Sequence, residues 1–430
     1  MAHTDTGKEA TDTQLLCCPD CDLVSRLPTH YAGHWFHCPR CHHAIARDAQ
    51  TDQATPALAM TALVFLGLAL AFPYIRFETA GLRQSMSLLD AAGMLASYHH
   101  WALAILVLLT IVVIPALYLI SLCWIHMALM WRPLPGAVIL TRWLPRLQPW
   151  MMADVFAIAG IISLVKIVGM ADVALLWSFW AYLGFALTLL VTIHRMNTVT
   201  LWRWLLGARS NKTSAVTGVT ARQQGLVHCT RCGHLQPLTA SSHCQRCHAA
   251  VSSRLPNSLQ TVLALSLTAV VFAFPAHLYP IMITTSLGST EPATIMAGVF
   301  LFISHGDWPI AAVIFFASVV VPFAKIIALL WLCVACYRHD PLDMVSQMRL
   351  YRVTEWIGRW SMVDVFVVAI TVALVQLGNV LTIAPGMGGV AFAAVVIFTM
   401  LAAHYFDPRL IWDRQQAIRN DAQHVPDNAV

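Results

Sequence analysis

Eight apolar runs divide the chain, each near the ~20 residues that cross a hydrocarbon core, with short polar or basic segments between them. In the first half they extend approximately from Ala57 to Ile75, Trp101 to Met127, Met152 to Met170 and Leu175 to Ile193. In the second half they extend from Ser258 to Ile283, Trp308 to Tyr337, Ser361 to Leu381 and Val390 to Tyr405. The pattern predicts an all-α polytopic membrane protein with about eight transmembrane helices in two tandem four-helix modules.

The runs repeat in order with a period of roughly 200 to 210 residues, too long for a solenoid and right for a duplicated domain. Cys18-Pro19-Asp20-Cys21 answers to Cys229-Thr230-Arg231-Cys232, and Ala71-Phe72-Pro73 to Ala273-Phe274-Pro275. Pro115 matches Pro322 inside the second spans. The third spans open on Trp150-Met151-Met152-Ala153-Asp154-Val155-Phe156 and Trp360-Ser361-Met362-Val363-Asp364-Val365-Phe366, and Leu201-Trp202 and Leu410-Ile411-Trp412 echo one another at the close. An even number of spans per copy makes the repeat parallel, not inverted.

Composition agrees, with 58% hydrophobic and 11% charged residues and a mean hydropathy of +0.67, so a soluble class is excluded. The formal charge of +5 flanks the apolar runs, which makes it a topology signal and not a nucleic-acid footprint. Arg132, Arg142 and Arg146 follow the second span, and Arg338, Arg349, Arg352 and Arg359 follow its counterpart. The stretches from Thr284 to Asp307 and from Leu377 to Gly389 hold no Lys or Arg, and the one after Ile75 balances Arg76 and Arg83 with Glu78 and Asp90. The basic segments are therefore expected in the cytoplasm, together with both termini and the linker from Gly207 to Arg222.

Of twelve cysteines, eight form four CxxC pairs: a gap of sixteen residues separates Cys18 and Cys21 from Cys38 and Cys41, and a gap of eleven separates Cys229 and Cys232 from Cys244 and Cys247. Met1 to Leu16 lacks an apolar export segment, which favours reduced cytoplasmic thiols over disulfides. Two knuckles at this spacing suit a tetrahedral thiolate cage, so each quartet is expected to hold one structural Zn²⁺, the alternatives being redox thiols or an iron site. Arg40, Arg231 and Arg246 stand close enough in sequence to offset the cage's charge. Cys17 is read as a bystander, and His37, His42, His43, His243 and His248 as solvated or supporting residues. Cys123, Cys333 and Cys336 are read as small buried hydrophobes. The domains expected are 1–52 and 207–254 for the cytoplasmic ribbon modules (the latter with its linker), 53–206 and 255–413 for the membrane modules, and 414–430 for a disordered tail.

A charge at bilayer centre costs about 2.5–3.5 kcal/mol on insertion scales, which makes intramembrane ions functional suspects. Lys325 and Asp364 sit at similar expected depths in the C-terminal module, and a pair between them is geometrically allowed, with Ser318, Ser361 and Thr399 completing a polar cluster. A structural ion pair is the competing reading. In the N-terminal copy Lys325 aligns with Tyr118, and Asp154 and Lys166, the latter aligned with Gln376, lie too far apart on one helix to pair. Tryptophans at span ends read as an interfacial belt. Gly386, Gly388 and Gly389 read as turn material. No Walker, GxSxG or HExxH motif occurs, and no enzymatic activity is expected.

These residues resemble the bacterial paraquat-inducible protein A family over nearly the whole chain. The doubled CxxC modules carry the resemblance, with the stretches Arg254 to Gln260, Phe274 to Ile281, Val321 to Lys325, Gly358 to Asp364 and Phe406 to Leu410. The resemblance implies an inner-membrane subunit that moves phospholipid to or from a periplasmic MCE-domain tunnel protein (PqiB/LetB-like). It further implies zinc in both ribbons and a polar network whose family positions match Ser318, Lys325, Ser361, Asp364 and Thr399. Two other functions compete: a membrane-anchored redox or metal sensor using the CxxC modules, and a docking platform that seals the tunnel partner.

Overall fold

A computed structural model describes residues 15–26, 35–47, 54–79, 82–130, 135–168, 172–196, 198–207, 215–238, 242–286, 289–304, 306, 308–337, 344–376 and 381–413. Among them, eight helices are long and apolar enough to cross a membrane: Ala54–Ala71, Trp101–Met130, Ala137–Leu164, Trp177–Arg195, Ser258–Leu278, Ala311–Tyr337, Met344–Leu374 and Met387–Tyr405. The expected all-α polytopic architecture is present, four spans to each half. Within each module the first and fourth spans form the most extensive pairing. Their seams explain it. Thr55, Ala59, Ala62, Leu66 and Ala69 are buried along one face of the first span, and Ser258, Val262, Ser266, Ala269, Ala273 and Ala276 along its counterpart. Small residues three or four apart let helix backbones approach closely.

The third span of each module departs from expectation. What reads as a basic segment is an amphipathic helix, Ala137–Leu147 in one half and Met344–Trp360 in the other. The chain then breaks at Met151–Met152 or at Ser361–Met362 before a second helix, Ala153–Val168 or Val363–Leu374. Arg132 and Arg338 lie outside the described residues. The run expected to cross from Ser361 to Leu381 is thus a helix of 12 residues, about 18 Å long. Every one of its side chains except that of Asp364 is buried. Protein surrounds it, so lipid thickness does not set its length. Phe156 and Phe366, equivalent in the repeat, meet edge to face with centroids 5.5 Å apart at the contact between the halves.

Each second span carries a π-helical turn, Leu109–Val113 or Phe316–Val320, just ahead of Pro115 or Pro322. Proline has no N–H to give the carbonyl four residues back, and the wider turn absorbs the mismatch. In the first half Tyr182 donates to the carbonyl of Ile111 at 3.5 Å, covering the group Pro115 leaves free.

At the end of the bundle away from the cysteines, each module closes with a three-stranded antiparallel sheet that the apolar pattern did not indicate. The strand orders are Leu82–Met86, Ile75–Thr79, Asp172–Leu175 and Ser289–Ala293, Met282–Ser286, Leu381–Pro385. A hairpin joins spans one and two, and the connection between spans three and four adds the third strand, so one sheet ties all four helix ends. The segment after Thr284 also forms a helix, Ile295–Ser304.

Two glycines expected to be turn material are instead packing residues. A Cβ on Gly386 would lie 2.1 Å from the Pro280 carbonyl oxygen, and one on Gly388 2.4 Å from that of Tyr279. Their N–H groups donate to the carbonyls of Ile281 and Pro280 at 2.7 and 3.0 Å, seating the last span on the end of the fifth. Gly386→Ala or Gly388→Ala is expected to lower stability by about 1–3 kcal/mol or more, whereas Gly298→Ala, in a helix with nothing within 4 Å of the new methyl, should be neutral or stabilising. Thermal unfolding of the three variants in detergent checks the contrast.

Candidate metal centres and the buried polar site

All four CxxC knuckles share one geometry. The residue after each second cysteine takes a left-handed backbone conformation: Asp22 (φ 62), His42 (φ 57), Gly233 (φ 66) and His248 (φ 56). Its N–H donates to the carbonyl of the first cysteine at 3.0, 2.9, 2.7 and 2.9 Å respectively. This turn aims both sulfurs of a knuckle at one point, and it places His42 and His248 as turn residues away from the sulfurs' ligand set.

Cys18 and Cys41 Sγ lie 3.5 Å apart and Cys21 and Cys38 Sγ 3.4 Å; in the second ribbon Cys229–Cys247 and Cys232–Cys244 are both 3.6 Å. A disulfide requires about 2.05 Å, while four sulfurs about 2.3 Å from a tetrahedral metal stand about 3.8 Å apart. All eight are buried free thiols. The two quartets therefore fit a metal of the zinc class, which would supply the folding energy that such small hairpins lack.

The ribbons dock crosswise. The first packs on the C-terminal membrane module against Leu332, Met348, Tyr351 and Trp412, and the second on the N-terminal module against Val138, Trp202 and Leu205. Equivalent residues make equivalent contacts. Arg352 donates to the Cys41 carbonyl at 2.8 Å, and Arg142, at the same place in the repeat, donates to the Cys247 carbonyl. Arg40 stacks 4.4 Å over the Trp412 ring, while Arg246 donates to the Trp202 and Gly207 carbonyls at 3.1 and 2.6 Å. Two arginines expected to offset thiolate charge thus anchor the ribbons to the closing helices.

Asp20 receives Arg352 at 2.8 Å and His43 at 2.9 Å. Burial works to raise its carboxyl, but these two partners outweigh that and hold it below the ordinary carboxylate range. Across the interface between ribbons, Asp22 and Asp413 both receive Arg254, at 3.2 and 2.5 Å. Burial opposes the Asp22 charge too, yet His228 and Arg254 bring its carboxyl down to about 2. Cys17 belongs to neither quartet; it is buried in this interface with Val24, Ala221, Leu226 and Leu235.

Inside the bundle, Lys325 is 2% exposed and donates to Thr399 Oγ1 at 3.0 Å. It makes no ion pair with Asp364, contrary to the geometry the sequence allowed. The helix Val363–Leu374 sits between the two modules, and Asp364 lines a small apolar cavity with Leu95, Leu103, Ile281, Val368 and Phe392 toward the sheets. Lys325 instead borders a cavity of about 330 Å³ toward the ribbons, with Arg352, Glu355, Arg359 and His404 and, from the other module, Gln148 and Ile193. Ser318, in the π-helical turn, and Ser361, in the helix break, are both buried. Asp154 and Asp364 each occupy the first turn of a helix that starts at a break, where a negative charge complements the helix dipole. Lys166 continues the helix Ala153–Val168, and its side chain lies outside the described residues.

The family model for paraquat-inducible protein A matches residues 53–205 and 259–416. The chain belongs to that family. It is 38% identical over 93% of its length, and 96% of the relative's, to the intermembrane transport protein PqiA of Escherichia coli. It is also 26% identical over 96% of its length, and 94% of the relative's, to the lipophilic envelope-spanning tunnel protein A of the same organism. A probable intermembrane transport protein of Haemophilus influenzae shares 27% identity over 93% of this chain and 96% of its own. No solved structure matches the chain.

The sequence places Gly358 in a family stretch but gives it no part in the polar site. A Cβ there would lie 3.2 Å from Lys325 Nζ, so the glycine makes room for the ammonium. The N-terminal copy has Gln148 at this place, and its amide donates to Tyr118 Oη, at the Lys325 position, at 3.3 Å. The two exchanges go together, and comparing the repeats position by position could have exposed them. Gly358→Ala is expected to displace Lys325 and cut transport at least several-fold with little loss of membrane level, measured by complementation and immunoblot. Arg352→Ala removes two charge-assisted hydrogen bonds from the first ribbon, a loss of about 1.5–3 kcal/mol, and should make that ribbon more sensitive to limited proteolysis than the second.

Proposed function

We propose that this protein is the inner-membrane component of an intermembrane phospholipid transport system, exchanging lipid with a periplasmic MCE-domain tunnel protein in support of the outer membrane. The observation that carries the reading is the buried Lys325 at the wall of a cavity formed between the two modules, with Arg352 and Arg359 beside it. A buried cation at such a wall suits the phosphate of a lipid headgroup, and the relatives are named for intermembrane transport and for an envelope-spanning tunnel.

In this reading the ribbons, both termini and the basic amphipathic helices face the cytoplasm and the two sheets face the periplasm, as the distribution of arginines favours. Each quartet holds one structural Zn²⁺. Lys325, Thr399, Ser318 and Ser361 form the polar network on the ribbon side, and Asp364 lies beyond it toward the sheets, so the two titratable groups occupy different cavities along one path. Asp154 and Lys166 support the N-terminal module, which serves as a less polar scaffold. The chain itself catalyses no reaction, and the energy comes from proton movement or from the partner.

Lys325→Ala and Asp364→Ala should each abolish complementation of a strain lacking the protein while zinc content and membrane level stay at wild-type values. Wild-type complementation by both variants would confine the two residues to a structural role and remove the proposed path.

A further inference from the structure

Cys17 and His228 occupy the same place in the repeat, each immediately ahead of the first cysteine of its ribbon. The two ribbons face each other so that both side chains point into one buried space. Asp22, set by the left-handed turn of the first knuckle, reaches it as well. Exposures are 6%, 2% and 3% for Cys17, Asp22 and His228. Cys17 Sγ lies 3.4 Å from Asp22 Oδ1, and His228 Nδ1 lies 3.3 Å from the same oxygen. All three donor atoms fall within 4.8 Å of one another.

Two features go beyond proximity. The other carboxylate oxygen, Oδ2, is already engaged by the Arg222 N–H and by Arg254 Nη2, both at 3.2 Å. That arrangement orients the carboxylate and leaves Oδ1 facing the cysteine and histidine, as supporting residues do for a monodentate ligand. The His228 ring, although buried, makes no hydrogen bond through either nitrogen among the described residues, an arrangement costly for a polar group unless something else engages it.

We propose that Cys17, Asp22 and His228 form a third metal site, for a divalent ion of the zinc class, shared between the two ribbons. A tetrahedral ion with bonds of about 2.3 Å to sulfur and 2.0–2.2 Å to oxygen and nitrogen sets ligand separations of about 3.6 Å for S···O and 3.4 Å for N···O, close to those observed. One sulfur, one nitrogen and one carboxylate oxygen form a borderline donor set that suits zinc or cobalt better than magnesium or calcium. Three ligands leave a fourth position for water. The ion joins the two halves of the duplicated chain, a task different from that of the two quartets, each of which stabilises a single ribbon.

Elemental analysis of the full-length protein, purified in detergent from zinc-supplemented cells and quantified against sulfur, tests the site. The expected content is about three zinc ions per chain, falling to about two in Cys17→Ser and in His228→Gln, with the quartets retained. Zinc-edge X-ray absorption of the wild-type protein gives a reading that does not depend on how the variants fold, and should show a nitrogen and oxygen contribution beside sulfur. Two ions per chain with an all-sulfur shell in the wild type would overturn the proposal and leave a metal-free buried cluster, with His228 Nδ1 3.3 Å from the Asp22 carboxylate, in its place.

Discussion

Inside a bilayer no water is available to satisfy a backbone N–H or C=O, and the architecture of this chain follows from that constraint. Backbone that leaves the helical ladder does so where protein closes over it. The sheets form only at the ends of the helices, where their strands pair with one another. The breaks at Met151–Met152 and Ser361–Met362 lie in the buried centre between modules, and the Met152 N–H there finds the Thr110 carbonyl of the neighbouring π-helical turn at 3.3 Å. Each irregularity has a counterpart in the other half, although the equivalent Met362 N–H there finds the Arg359 carbonyl at 3.2 Å.

Within that shared scaffold the two copies have diverged where chemistry is concerned. Lys325 with Gly358 and Tyr118 with Gln148 fill equivalent places, one pair presenting an ammonium to a cavity and the other placing there a buried phenol whose hydroxyl donates to the Met196 sulfur at 3.0 Å. Burying a lysine beside a hydroxyl in place of a counter-ion is expensive, and a duplicated protein can keep that cost in one copy while the other supplies stability. The aromatic cluster of Tyr74, Phe156, Phe179, Tyr182 and Phe185 belongs to the N-terminal module, in keeping with that division.

Crosswise docking makes the halves interdependent. Each ribbon rests on the other half's amphipathic helix through an arginine to the carbonyl of its last cysteine, and the two ribbons then share the buried Asp22, Arg254 and Asp413 cluster. Movement of one membrane module relative to the other must therefore be accommodated at the ribbons. The cavity bordered by Lys325 lies between those same modules, so the ribbons and the cavity share one inter-module interface.

The sequence alone determined the eight spans, the duplication, the two cysteine quartets and the family, because hydrophobic length, repeated motifs and CxxC spacing are local properties of the chain. It also singled out Lys325 and Asp364 as candidates, since a charge inside an apolar run is visible along the chain. Which groups meet was decided by the tertiary structure. Pairing Lys325 with Thr399 and setting Asp364 at a separate cavity toward the sheets depend on helix rotation and on the break before Val363, which depth counting along a helix does not register. Arg142 and Arg352 read equally well as loop charge until the docked ribbon supplied the carbonyl each one binds. Cys17 acquired a setting only when His228, over two hundred residues away in the chain, was brought beside it, because a site between two repeats is written in neither repeat by itself.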